Sequence, residues 1–504
     1  MKSQFLLRIL PLCILVLVGC KSDDSVPPDA TLDFGDIWVD PAFEDSFVDE
    51  TVVVWFTDQF LKDAESYSSR QSEFGDRIAM RSTVLSELKR LSTESHNAAQ
   101  DAIDELITAG LISEFKSHWI INGFSCKLAE GGIEGLVKLP GVDKIFKKLF
   151  ADPGDNSSFG PEFITAFDGA FFTPPSFEKT TWNLKKLKVI DVWESENVTG
   201  EGVLNIIHDF GFKLDIPALS DNIYRNPGEI AGNGIDDDEN GHVDDYHGFN
   251  FDANSSLVNN PRLDGTDFNH GSAVASMICG RIASDTAVGV APNAQWSPVR
   301  GFANFEEMVE WAIEQEADTY TMSFSVPNMM EFRTHWRKVI EHGTYSGIFF
   351  ISGAGNFGNP ANANFAPVPV QMRVPESIPA VFGVAGVDSL LNRPVFSSKG
   401  PVVWDTDYYS EGQVDKPDFA TFNDGLDYVD IFEGKLTRDV RGNSFAGPQL
   451  AGVISLMLSK DKTLTPWGAR QLLIDNAVDV LSEGYDNQSG YGLIDALATV
   501  QDVN

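Results

Sequence analysis

The 504-residue sequence predicts an α/β fold: a mostly parallel sheet with helices on both faces, preceded by a small α+β region. Three observations carry this. From about residue 181, the apolar runs VLNII (203–207), TYTMSF (319–324), GIFFIS (347–352) and AVFGVAGV (380–387) are continuous rather than alternating. Such runs suit strands buried on both faces, as in parallel sheets. Helical stretches at about 272–283, 304–315, 331–343 and 445–459 alternate with them, an order that covers a sheet on both sides. Before that, residues 51–146 read β-α-β-β-α-β.

In the first region TVVVWF (51–56) is β-branched and aromatic, a strand. Residues 71–109 carry helical periodicity through Val84, Leu85, Leu88 and Leu91, and Gly110 stands at the stop. Strands follow at 111–116 and 119–128, then a short helix at 132–138, a turn at Pro140-Gly141 and an extended run from Val142 to Phe146. The order is that of a ferredoxin-like unit. Residues 151–180 are rich in Gly, Pro, Ser and aromatics without a period, and read as a linker.

Lys+Arg 37 against Asp+Glu 74 gives a net charge of −37. A surface this acidic repels phosphate backbones and argues against nucleic-acid partners. Four Cys are too few for a disulfide framework, and with no C-x-x-C or H-E-x-x-H run no catalytic metal is expected. At the N-terminus Lys2 and Arg8 precede an apolar stretch, Ile9 to Val18, that is too short to span a bilayer. It reads as a signal peptide over 1–19. Leu17-Val18-Gly19-Cys20 resembles the lipobox of bacterial lipoproteins, which implies lipidation of Cys20. Residues 20–50 then form a tether. Its acidic start, Lys21-Ser22-Asp23-Asp24, is similar to those that send lipoproteins of Gram-negative bacteria to the cell surface. Location at the outer membrane or cell surface is the expectation, with the periplasmic face as the alternative. Cys126 and Cys279 are expected to remain free thiols.

Four residues suggest the chemistry. Ser444, in Gly442-Asn443-Ser444-Phe445-Ala446-Gly447-Pro448, precedes an apolar helix, so its hydroxyl lies among unpaired N–H groups. A lone serine there is commonly an N-cap. A nucleophile needs a base, and none of the eight His follows Ser444, which excludes the chain order of α/β-hydrolases. His270 begins a helix rich in small residues and is the best base. Asp209 ends the strand 203–208, and strand carboxyl ends are where open α/β sheets bind ligands. Asn356, in Gly353-Ala354-Gly355-Asn356-Phe357-Gly358, follows another buried strand and offers an amide donor for an oxyanion.

Each signal is weak alone; the order Asp209, His270, Asn356, Ser444 resembles the subtilisin-like serine peptidases, the subtilases. Gly289-Val290-Ala291-Pro292, Val395-Phe396-Ser397-Ser398-Lys399-Gly400 and Gly490-Tyr491-Gly492 match further family landmarks. The resemblance implies Asp209, His270 and Ser444 as catalytic triad over a peptidase domain at 181–504, and Asn356 as oxyanion donor. Substrate is implied to bind along Ser323, Phe324 and Ser325 and at Gly353. Residues 51–150 are implied to be a propeptide that inhibits until cut within about 150–180. The implied product is a monomeric, lipid-anchored endopeptidase acting on proteins or peptides.

The chain departs from the family at Ser325, commonly Gly, which reshapes the pocket. His208, commonly aliphatic, needs a hydrogen-bond partner such as a local carboxylate. Asn443, Phe445 and Gly447 replace the commoner Thr, Met and Ala. His208 and the altered serine loop motivate the alternative reading, a catalytically silent surface protein that binds peptides in the same groove. Between Asp209 and His270, six of the ten residues 236–245 are carboxylates. Asp236, Asp238 and Asn240 have calcium-loop spacing, with Gly241 at the turn and Asp244 or Asp245 to close the shell, although His247 rules out an EF-hand. A structural Ca²⁺ is expected there.

Overall fold

Seven strands, all parallel, form the larger sheet in the order β11-β10-β9-β8-β5-β7-β6. They are β5 (Leu204–His208), β6 (Phe249–Asn250), β7 (Gln295–Arg300), β8 (Thr319–Met322), β9 (Phe349–Gly353), β10 (Phe382–Val387) and β11 (Phe419–Phe422). The computed structural model describes residues 34–43, 47–150, 180–259, 270–282, 286–358, 371–429 and 436–503. Cys20, the signal peptide and residues 151–179 of the linker lie outside the described residues. Asp36–Asn504 form one compact unit.

The sheet is buried on both sides because its apolar runs are continuous. Ile207, Phe349 and Ile351 face helices α3 (His270–Cys279) and α6 (Ala446–Lys460), whose Val274, Ile278, Leu450 and Val453 complete one core. Ile206, Tyr320 and Phe350 face α4 (Phe305–Glu314) and α5 (Arg333–Tyr345) across a second core. Alternate residues of one strand thus enter opposite cores.

The first region contains β1 (Thr51–Phe56), α1 (Arg77–Thr108), β2 (Ile112–His118), β3 (Gly123–Leu128), α2 (Gly132–Leu136) and β4 (Val142–Lys147). Its order β4-β1-β3-β2 is the ferredoxin-like one, and Trp38–Val39 adds a short strand parallel to β4. Its sheet shares a core with the larger half: Val53, Trp55, Ile120, Ile121 and Phe146 lie in one cluster with Phe305, Val309 and Trp336. Two boundaries differ from the sequence reading. The long helix starts at Arg77, where Asp76 accepts from the N–H groups of Ile78 and Ala79, rather than at 71. The strand read over 119–128 is shortened because Trp119–Ile121 turn, which lets the Ile120 N–H donate to Glu310 of α4 at 2.9 Å. The helix Pro466–Asn476 was missed, although Thr465 caps it and Pro466 sits in its first turn.

Cys126 and Cys279 are buried and unpaired, as read, and burial pushes the Cys126 thiol up to about 12. Among the described residues no helix is long and apolar enough to cross a membrane.

Candidate active site

β5 runs between β7 and β8, so its carboxyl end opens at the middle of the sheet edge. Asp209 stands there, fully buried, its N–H donating to Val299 of β7 at 3.0 Å. His270 opens α3, and its Nδ1 lies 2.9 and 2.8 Å from the two carboxylate oxygens of Asp209. The carboxylate only accepts, so Nδ1 carries the proton and Nε2 keeps its lone pair. Gly271 is needed beside it: a Cβ there would come within 2.2 Å of the Phe212 ring.

Ser444 sits in a single turn, Asn443–Phe445, that feeds α6. Its hydroxyl donates to the Ser323 carbonyl at 3.3 Å, while the Ser323 hydroxyl donates to the Ser444 carbonyl at 2.9 Å. The turn lies directly on the end of β9, because a Cβ on Gly353 would be 2.0 Å from the Asn443 carbonyl oxygen. What the structure shows for Gly353 is therefore close backbone approach. The ring of Phe445 is 5.6 Å from that of His270, which places the serine turn beside the base.

The Oδ1 of Asn356 accepts from the Asn443 N–H at 2.8 Å. Its Nδ2 is left without a protein partner among the described residues, facing the role of a donor. Asn443 is held in turn, donating to Gly355 and to Ser397 at 3.1 Å and accepting from Asn423 at 2.9 Å. Asn443 thus anchors the serine turn, a role that the substitution of Asn for the commoner Thr did not reveal.

Among the described residues His208 pairs with no carboxylate. Its Nε2 donates to the Gly301 carbonyl at 2.5 Å, and its Nδ1 accepts from the Tyr320 hydroxyl at 3.1 Å. Phe324 meets its ring edge-on at 4.8 Å. Burial pulls its pKa down to about 4, so it is a neutral packing element beside Asp209. Ser325 donates to Glu376 at 2.7 Å, a fully buried carboxyl that no sequence pattern singled out.

In the acidic loop the structure groups Asp238 and Asp245 with Glu229, ligand atoms within 4.8 Å of one another. Asn240 bridges the pair, its amide donating to Asp238 at 3.1 Å and Asp245 at 2.8 Å. Asp236 and Asp244 are drawn off by the loop's own backbone. Asp236 accepts from Asn240 and Gly241, and Asp244 from Asn233 and Gly234. Glu229 lay just outside the window of spacing considered in the sequence. One of its oxygens is buried with no hydrogen-bond partner, and burial raises its pKa. Three carboxylates crowded this way fit a hard cation with oxygen ligands.

An Asp–His pair at the carboxyl end of the central strand β5, with a serine turn lying on the end of β9, is the site of a serine endopeptidase. The chain belongs to the subtilase family, whose model matches residues 200–492, more than half of its length. Subtilisin-like protease 1 of Plasmodium berghei is 26% identical over 353 residues, 67% of this chain and 56% of that protein, so the chain spans little over half of that relative. Subtilisin DY of Bacillus licheniformis is 28% identical over 47% of this chain and 79% of its own. Subtilisin E of Bacillus subtilis is 27% identical over 64% and 79% respectively.

Proposed function

We propose that the chain hydrolyses internal peptide bonds of protein substrates, with Ser444 as nucleophile, His270 as its base and Asp209 holding the imidazole. The observation that carries this is the buried Asp209 carboxylate on Nδ1 of His270, beside the serine turn. Ser444 attacks the carbonyl carbon as its proton passes to Nε2 of His270, the same proton goes to the leaving amine as the C–N bond breaks, and a water that gives its proton to Nε2 then attacks the acyl-enzyme, releasing the acid and returning the proton to Ser444. The imidazolium formed in between is stabilised by Asp209. Asn356 Nδ2 and the Ser444 N–H stabilise the oxyanion.

The first region acts as propeptide and inhibitor. In support, Glu310 of α4 accepts the Ile120 N–H, and Lys338 of α5 donates to the Leu61 carbonyl at 2.6 Å. A cut within about 150–180 activates the monomeric enzyme. Glu229, Asp238 and Asp245, with Asn240, hold a Ca²⁺ that neutralises the acidic loop and has no part in hydrolysis. Cys20 carries lipid, which fixes the enzyme at the outer membrane or cell surface.

The test compares wild type with Ser444→Ala. Wild type is labelled by a fluorophosphonate and shortens to the mature length, and the variant does neither. A wild type that stays full length and unlabelled contradicts the proposal. For Cys20, a mass shift of the N-terminal peptide that is lost in Cys20→Ser tests lipidation.

A further inference from the structure

Glu376 is fully buried, and the hydrolysis proposed above does not use it. It is placed by two segments that leave adjacent strands of the sheet. The segment after β8 carries Ser323, whose carbonyl accepts the Ser444 hydroxyl, and two residues later Ser325, whose hydroxyl donates to Oε1 of Glu376 at 2.7 Å. The Val326 N–H donates to the Val374 carbonyl at 2.6 Å, which ties that segment to the one bearing Glu376. The segment after β9 carries Gly355, next to Asn356. A Cβ on Gly355 would lie 3.1 Å from the same Oε1. The carboxyl therefore stands between the neighbours of the nucleophile and the neighbours of the oxyanion donor.

Its two oxygens are not equivalent. Oε1 accepts from Ser325 and from the Arg373 N–H at 2.8 Å. Among the described residues Oε2 is buried with no hydrogen-bond partner. Neither nearby cation among the described residues hydrogen-bonds to it, although the charges of Arg373 and Lys416 act on Glu376 from a distance: the Arg373 guanidinium lies over the Phe357 ring at 3.6 Å, and the Lys416 ammonium donates to Asp418 at 2.7 Å. A buried polar atom left bare costs free energy that a partner recovers.

We propose that Glu376 is a specificity-determining residue. It floors the pocket that takes the substrate side chain on the N-terminal side of the scissile bond, and it selects lysine there. This rests on the peptidase reading above. The choice of lysine follows from the oxygens. An arginine fork needs two free acceptors in one plane, and Oε1 is already filled. An ammonium needs only Oε2. Burial pushes the Glu376 pKa up to about 7, against the hydrogen bonds from Ser325 and the Arg373 N–H and the Arg373 charge, which lower it. A net charge of −37 draws cationic peptides toward the molecule.

The experiment measures kcat/KM of the matured enzyme on four quenched peptides that differ only at that position: Lys, Arg, norleucine or Phe. Wild type is expected to favour Lys over norleucine by at least about 30-fold, the size of a buried charge pair, and over Arg by a smaller factor. Glu376→Gln is expected to collapse the Lys-to-norleucine ratio to near unity, with fluorophosphonate labelling of Ser444 confirming a folded site. Ser325→Gly is expected to keep the preference for Lys over norleucine while raising Arg. An active, labelled wild type that cuts after Phe or norleucine in preference to Lys overturns the pocket assignment alone, as does a ratio unchanged in Glu376→Gln. A wild type that cuts none of the four and stays unlabelled overturns the peptidase reading with it.

Discussion

Asn356 and Asn443 are joined by a 2.8 Å hydrogen bond, the amide oxygen of the first accepting the N–H that immediately precedes Ser444. This bond turns the Asn356 amide so that its nitrogen is the free end. The oxyanion donor and the nucleophile are therefore positioned by one contact. Asn356→Leu is predicted to lower kcat by about 10²–10³, a range measured on a subtilisin, with KM changed much less. Steady-state kinetics check this, and a loss confined to KM would contradict it.

Asp209→Asn places an amide where Nδ1 of His270 now donates. The amide N–H then favours the tautomer with its proton on Nε2, which cannot accept from Ser444. kcat is predicted to fall about 10⁴-fold at neutral pH, as for the equivalent change in another serine protease family. Fluorophosphonate labelling should slow in parallel.

Acid is predicted to loosen the first region from the peptidase half. His342 of α5 has one neutral tautomer that fits, with Nδ1 donating to the Ile120 carbonyl and Nε2 accepting the Leu61 N–H at 3.3 Å. A proton on Nε2 would oppose that N–H. Burial pulls the His342 pKa down to about 3, and His118 behaves alike. The unfolded chain therefore takes up these protons first, near pH 6.5, and the folded chain only near 3. Stability is full above about 6.5 and falls as pH drops toward 3, by about 1.4 kcal/mol per pH unit for each such histidine. The Tm of the Ser444→Ala chain at pH 5 and 7 measures it, and His342→Gln should flatten the slope.

Chelation separates the carboxylates of the acidic loop. EGTA is predicted to lower Tm in wild type and in Asp244→Asn, but to have little effect in Asp238→Asn or Asp245→Asn. The reason is that Asp244 already accepts two backbone N–H groups, whereas Asp238 and Asp245 share the crowded cluster with Glu229.

Much of this was legible in the sequence, for reasons of period and order. Ile206 and Ile207 enter opposite cores, and it is this two-sided burial that makes the run 203–207 continuous and readable. The βαββαβ order needed only local patterns. In the acidic loop the spacing singled out Asp238 and Asp245 of the carboxylate cluster but not Glu229, whose place in the cluster is set by the path of the chain rather than by a fixed spacing. Glu376 was illegible for the same reason: its partners Ser325 and Gly355 belong to other strand ends, and nothing in Val374-Pro375-Glu376 marks a site. Residues 119–121 misled because an apolar, β-branched run looks like a strand even where tertiary contacts make it turn.

The central claim is that His270 activates Ser444. Its most direct test is the rate of fluorophosphonate labelling of Ser444 in the matured enzyme, compared with His270→Ala. Labelling should be fast in wild type and drop by orders of magnitude in the variant. Equal labelling of the two chains would contradict the triad.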